Sequence, residues 1–113
     1  MVNKMNIENI KNVIVNKIEC DDIKIIENGI EFVQFEAFNK ITFENDKVIY
    51  ELVSEEDDYN IIIKINKALF ESDIENFTYK LWDMSLMLSE GDRENENENL
   101  FFDLSDEEFL NFN

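Results

Sequence analysis

The chain has 113 residues, a length typical of one domain, and it contains one cysteine, Cys20, and no histidine. These counts exclude an internal disulfide, a catalytic group built on histidine and a zinc site with histidine ligands. The formal net charge of −17 lies far outside the roughly 2–8 in magnitude that suffices for solubility, so we expect no direct complex with nucleic acid or an anionic membrane.

The first predicted element is a helix over residues 6–19. Its isoleucines at 7, 10, 14 and 18 recur at helical spacing and form one apolar stripe. Asn6 is the residue type preferred at a helix N-cap.

An antiparallel meander of about four strands follows the first helix. Residues 23–26 are mostly isoleucine, and Asn28-Gly29 after them is typical of a tight hairpin turn. Residues 30–44 are predicted to form one long bent strand, or two strands broken at Asn39-Lys40, because the alternation slips near Phe35. Two further strands are predicted over residues 47–53 and 59–65, where apolar side chains alternate.

A long second helix is predicted over residues 72–89, beginning with a capping-box pattern of Ser72 and Glu75. Its second half is apolar on nearly every side, which predicts burial on more than one face. The sheet can cover one face, so another element must cover Trp82, Leu86 and Met87.

The last segment combines carboxylates with phenylalanines, and Ser105 with Glu108 predicts a short C-terminal helix. The apolar side chains either fold back over the second helix or remain exposed as anchors for a partner. Both hold if Leu100, Phe101 and Leu104 point inward and Phe109 or Phe112 points outward.

The predicted fold class is therefore α+β: an N-terminal helix, an antiparallel β-meander of about four strands, a long helix and a short C-terminal helix. We expect one domain over residues 1–113, with an acidic loop at about 90–99 and a C-terminal segment 100–113 that packs back on the second helix. The alternating Glu and Asn of residues 94–99 indicate either an extended row of carboxylates or a low-complexity linker.

Negative charge is concentrated toward the C-terminus, because residues 68–113 hold 13 of the 27 acids and two of the ten bases. We predict a partner-binding surface made of the clustered acids and one aromatic anchor: Glu55, Glu56, Asp57, Asp58, Glu90, Asp92, Glu94, Glu96, Glu98, Asp103, Asp106, Glu107, Glu108 and Phe109. The lysines are scattered and form no basic stripe, so the expected partner is a basic protein.

No catalytic residue, metal ligand or cofactor is predicted, and we do not expect an enzyme. Two glycines cannot form a glycine-rich phosphate loop, and no EF-hand pattern is present. The sequence shows no secretory leader or membrane span, which favours the cytoplasm of a bacterial host cell. Both a monomer and a homodimer fit the sequence.

The order of elements, with acid runs at 55–58, 90–98 and 103–108, resembles small acidic phage-encoded anti-CRISPR proteins and other DNA mimics, namely anti-restriction proteins and uracil-glycosylase inhibitors. The resemblance implies a non-enzymatic inhibitor that occupies the nucleic-acid groove of a nuclease or CRISPR effector. Two alternatives stay open: an immunity protein or antitoxin that neutralises a bacterial toxin, and a phage structural or adaptor protein whose acidity serves solubility.

Overall fold

The computed structural model describes residues 4–54, 59–91 and 99–112. Four helices and six strands follow one another in the order α1 (Lys4–Lys17), β1 (Asp21–Ile26), β2 (Gly29–Gln34), β3 (Ala37–Glu44), β4 (Lys47–Ser54), β5 (Tyr59–Asn66), α2 (Lys67–Ser72), α3 (Ile74–Gly91), β6 (Leu100–Asp103) and α4 (Asp106–Leu110).

The strands form one sheet in the order β1-β2-β3-β4-β5-β6. The first five strands are antiparallel neighbours, whereas β6 returns after α3 and pairs parallel to β5. The predicted α+β class, the N-terminal helix and the long helix followed by a short one are confirmed. The predicted count of four strands is wrong, since the sheet has six.

Two features account for the extra strands. The long segment 30–44 breaks at a two-residue turn of Phe35 and Glu36, both with positive φ, and not at Asn39-Lys40, which lies inside β3. The second feature is β6, which has only four residues and is too short to show a clear alternation.

All four helices pack on one face of the sheet and form the core there. The isoleucine stripe of α1 is buried as predicted, against alternate side chains of the strands. These helix-facing side chains include Ile30, Phe32, Ile41, Phe43, Val48, Tyr50, Leu52, Ile61, Ile63 and Ile65. The strands therefore alternate between the core and the opposite side with a period of two.

The opposite side of the sheet, which we call the open face, has no described helix on it. None of its side chains belongs to the core cluster. Its residues alternate with the core-facing residues along each strand and lie beside one another on neighbouring strands. They include Lys24, Glu31, Val33, Phe38, Lys40, Thr42, Glu44, Lys47, Ile49, Glu51, Val53, Ile62, Lys64, Phe101 and Asp103.

Two polar contacts support the core, a buried one between β3 and β4 and a partly buried one between the sheet and α3. The Tyr50 hydroxyl donates to Asn39 Oδ1 at 2.5 Å inside the core, where burial raises the pKa of Tyr50. Gln34 of β2 joins α3 and the segment between α1 and β1, because its Oε1 accepts from Trp82 Nε1 (2.6 Å) and its Nε2 donates to the Glu19 carbonyl (2.8 Å). Both contacts satisfy polar groups that would be costly to bury unpaired.

The predicted start of the second helix is wrong, because the helical segment is divided at Asp73. Ser72 Oγ donates back to the Leu69 carbonyl (2.5 Å) in α2 and does not cap α3. Asp73 is the capping residue, because its carboxylate accepts from the Asn76 backbone N–H at 3.4 Å and also from the Asn76 side chain at 2.7 Å. Glu75 pairs with Lys17 of α1 (2.9 Å), which leaves no capping box at this position.

The start of the first helix also differs from the prediction. Asn6 lies inside α1, which begins at Lys4, and therefore does not cap it. The Asn6 side chain instead donates to the carboxylate of Glu71 on α2, so it joins two helices.

Candidate partner-binding surface

The acids of α4 are held in place by a complete capping box. Ser105 Oγ accepts from the Glu108 backbone N–H (3.2 Å), and the Glu108 carboxylate accepts from the Ser105 backbone N–H (3.0 Å). This pattern was predicted from the sequence and is confirmed. Asp106, Glu107 and Glu108 all lie in the first turn, where the helix dipole favours negative charge.

Phe109 fastens α4 to the rest of the molecule. Its ring is fully buried (0% exposed) and meets Phe77 edge to face, with 5.3 Å between the ring centroids. Lys80 Nζ lies 5.0 Å from the Phe109 centroid and also donates to the Leu110 carbonyl (3.1 Å). These contacts join α4 to the first half of α3.

The prediction that Phe109 projects outward as a partner anchor is therefore wrong. The ring fills the space between α4 and Phe77, so it is inaccessible in the folded chain. Phe101, predicted to point inward, is 58% exposed on the open face, while Leu104 is buried as expected. Phe112 is partly buried against the core.

Four of the predicted acids come together next to the sheet edge. Asp106, Glu107 and Glu108 are exposed on α4, and the Asp103 carboxylate is close enough to Glu108 to repel it. Asp103 also pairs with Lys47 Nζ at 3.4 Å. We call Asp103, Asp106, Glu107 and Glu108 the α4 acidic surface.

Glu90, also predicted for the partner-binding surface, lies elsewhere. It is exposed near the end of α3, whereas α4 packs on Phe77 near the beginning of that helix. Thirteen residues at about 1.5 Å each separate the two positions by roughly 20 Å. The other predicted acids, Glu55, Glu56, Asp57, Asp58, Asp92, Glu94, Glu96 and Glu98, lie outside the described residues.

Exposed aromatic side chains occur at positions that the sequence did not single out as anchors. Phe35, at the β2–β3 turn, is 79% exposed with φ 51. Its one sequence indication is the slip in alternation around that position. Phe101 lies under Lys64, whose Nζ is 5.2 Å from the ring centroid. These two rings are accessible to a partner, and Phe109 is not.

The capping box gives a test of how firmly the α4 acidic surface is fixed. We expect Ser105→Ala to lower the free energy of unfolding by about 1 kcal/mol, because the N-cap acceptor is lost. Thermal or urea unfolding measures the change. An unchanged stability would contradict the view that α4 is fastened by its cap.

A second test uses pH. The hydrogen bonds to the Ser105 backbone and side chain hold the pKa of Glu108 below its ordinary value of 4.5. A lowered folded pKa stabilises the chain above pH 4.5, and this contribution is lost as pH falls through the folded pKa. The stability difference between the wild type and Glu108→Gln, measured by urea unfolding, should therefore shrink from pH 7 to pH 3. A difference independent of pH would contradict this.

Within the described ranges, no three acidic or cysteine side chains are grouped so that they could hold a metal ion. No helix of the described chain is long and apolar enough to cross a membrane. Comparisons with protein-family models, with curated proteins and with solved structures found no match to this chain.

Proposed function

We propose that this protein is a non-enzymatic inhibitor that binds a basic nucleic-acid-binding enzyme, such as a nuclease or a CRISPR effector, and blocks its nucleic-acid groove. The observation that supports the proposal best is the α4 acidic surface. Its carboxylates are exposed, yet their helix is held by the capping box and by the buried Phe109 ring.

Fixed carboxylates are better substitutes for phosphates than mobile ones. A groove that binds nucleic acid is lined with Lys and Arg, which pair with carboxylates as they do with phosphate oxygens. Because α4 is already ordered, little conformational entropy is lost when its acids enter such a groove. The net charge of −17 also steers the protein toward a positively charged partner and raises the association rate.

The positions of the lysines also favour the α4 acidic surface as the binding surface. Lys24, Lys40, Lys47 and Lys64 lie on the open face, while α4 packs on the helix side of the sheet. Lys80 is engaged with Phe109 and Leu110, so it fastens α4 and does not cover the acids of its first turn. Of the α4 acidic surface, Asp103 therefore pairs with Lys47, while the three acids in the first turn of α4 lie apart from the open-face lysines.

The proposal is tested by neutralising two acids of α4. The double variant Asp106→Asn with Glu107→Gln leaves the capping pair of Ser105 and Glu108 intact. We expect its inhibition constant to rise about tenfold, which corresponds to roughly 1.4 kcal/mol. The measurement is cleavage of duplex DNA by a panel of purified basic nucleases and RNA-guided nucleases at increasing inhibitor concentration.

A charge-matched control changes Asp22→Asn with Glu27→Gln at the β1 edge of the sheet. Both residues are exposed, and Asn tolerates the positive φ of Asp22. Five strand spacings of about 4.8 Å separate β1 from β6, so this pair lies some 24 Å from the edge that leads into α4. Inhibition by the control should match the wild type. Equal inhibition by both double variants, or no inhibition of any enzyme in the panel, would contradict the proposal.

A further inference from the structure

The open face differs in charge from the rest of the molecule. Four lysines lie on it: Lys24, Lys40, Lys47 and Lys64. They are interspersed with Asp21, Glu31, Glu44, Glu51 and Asp103. The face is therefore close to neutral in a chain whose net charge is −17. It is where a second negatively charged molecule meets least repulsion.

The same face is also partly apolar. Val33, Phe38, Ile49, Val53, Ile62 and Phe101 lie on it, and Phe38 and Phe101 are 49% and 58% exposed. Aromatic and aliphatic side chains between balanced charges are typical of a surface that packs against protein.

The pairing of β3 with β4 makes the centre of this face complementary to itself. Across the two strands, Lys40 lies opposite Glu51, with 3.5 Å between Nζ and the carboxylate. Glu44 lies opposite Lys47 in the register of the two strands. The remaining open-face positions pair Phe38 with Val53 and Thr42 with Ile49. Every charged residue on one strand thus has its opposite charge on the other.

We propose that a second copy of this chain packs on the open face, about a twofold axis that runs between β3 and β4 and parallel to them. Such an axis places β3 of one copy over β4 of the other. Each residue of these strands therefore lies over the same residue with which it pairs in its own sheet. Lys40 then lies over Glu51 of the second copy, and Phe38 lies over Val53 of the second copy. No like charges oppose each other along these two strands.

The dimensions of the face suit such a dimer. The six strands hold 40 residues, and at about 3.3 Å along the strand and 4.8 Å across it per residue the projected area is roughly 630 Å². The accessible area of a face covered with side chains is larger, so it approaches the roughly 800 Å² that each partner contributes to a standard interface. Sheets pack face to face in this aligned manner. Asp106, Glu107 and Glu108 of α4, on the helix side, stay accessible in both copies, whereas Asp103 lies on the open face.

The experiment is a charge exchange at the centre of the face. In Lys40→Glu, positions 40 and 51 both carry negative charge, and in Glu51→Lys both carry positive charge. Each variant alone then places like charges against like charges across the twofold axis. In an equimolar mixture, opposite charges face each other again. Sedimentation velocity across a concentration series at 0.15 M salt measures the mass, and thermal unfolding confirms that both variants fold.

We expect the wild type to sediment at twice the mass of one chain, each folded variant at the mass of one chain, and the mixture at twice that mass again. Glu27→Lys, the same charge change as Glu51→Lys but at the β1–β2 turn, should remain dimeric. A monomeric wild type, dimeric single variants or a mixture that stays monomeric would each overturn the proposal. None of these outcomes depends on inhibition, so the dimer and the proposed function fail separately.

Discussion

Replacement of Phe109 by alanine should lower the free energy of unfolding by about 3–5 kcal/mol, the range for truncating a buried phenylalanine. The ring is fully buried and meets Phe77 at 5.3 Å, so its removal leaves a cavity between α4 and α3. Since small domains are stable by about 5–15 kcal/mol in total, the loss is a large fraction. For a chain of this size the melting temperature should fall by roughly 10–20 °C.

Phe101→Ala is the matched control, because it makes the same chemical change five residues before α4 begins. Phe101 is largely exposed and its described ring contact is the approach of Lys64. We therefore expect a loss of about 0.5–1 kcal/mol, the scale of an exposed cation–π contact. Thermal and urea unfolding of both variants give the comparison. Similar losses for Phe109→Ala and Phe101→Ala would contradict the assignment of Phe109 to the core.

Replacement of Gly29 by alanine should be the second most damaging change, with a loss of about 3 kcal/mol. A β-carbon at Gly29 would lie 2.1 Å from the Ile41 carbonyl oxygen and 3.0 Å from the Thr42 α-carbon. Both are backbone atoms of β3, so β2 and β3 would have to separate where they pair. Urea unfolding measures the loss.

The neighbouring substitution Asn28→Gly is the control for that effect. Asn28 has φ 63, a conformation that glycine adopts without steric cost. We expect a change within about 0.5 kcal/mol, since no side-chain packing is lost at this exposed turn. If Asn28→Gly were as damaging as Gly29→Ala, the loss could not be assigned to the close approach of β2 to β3.

The Asn28-Gly29 hairpin shows what a sequence pattern can and cannot determine. The pattern predicts a turn, and β1 and β2 do pair antiparallel on either side of it. It does not show that the turn is formed by Glu27 and Asn28, with Gly29 already in β2 and paired with Thr42. The need for glycine arises from β3, which is distant in sequence, so the local pattern carries no information on it.

The same distinction applies to the C-terminal segment. Local patterns predicted the capping box of Ser105 and Glu108 and the isoleucine stripe of α1, because both depend on residues within a few positions of each other. The orientation of Phe109 depends instead on Phe77 of α3, and that of Phe101 on the pairing of β6 with β5. Tertiary contacts of this kind leave no trace in the spacing of the residues concerned.

The parallel pairing of β6 with β5 has a consequence for the order of folding. Ile61 pairs with Leu100, so closing this part of the sheet joins positions that are 39 residues apart, with two helices between them. The hairpins β1–β5 close over far shorter separations and should form earlier, because the entropy cost of loop closure grows with length. The acids of α4 then reach their final positions only when the rest of the sheet exists. Binding by the α4 acidic surface would therefore occur only after the chain has folded completely.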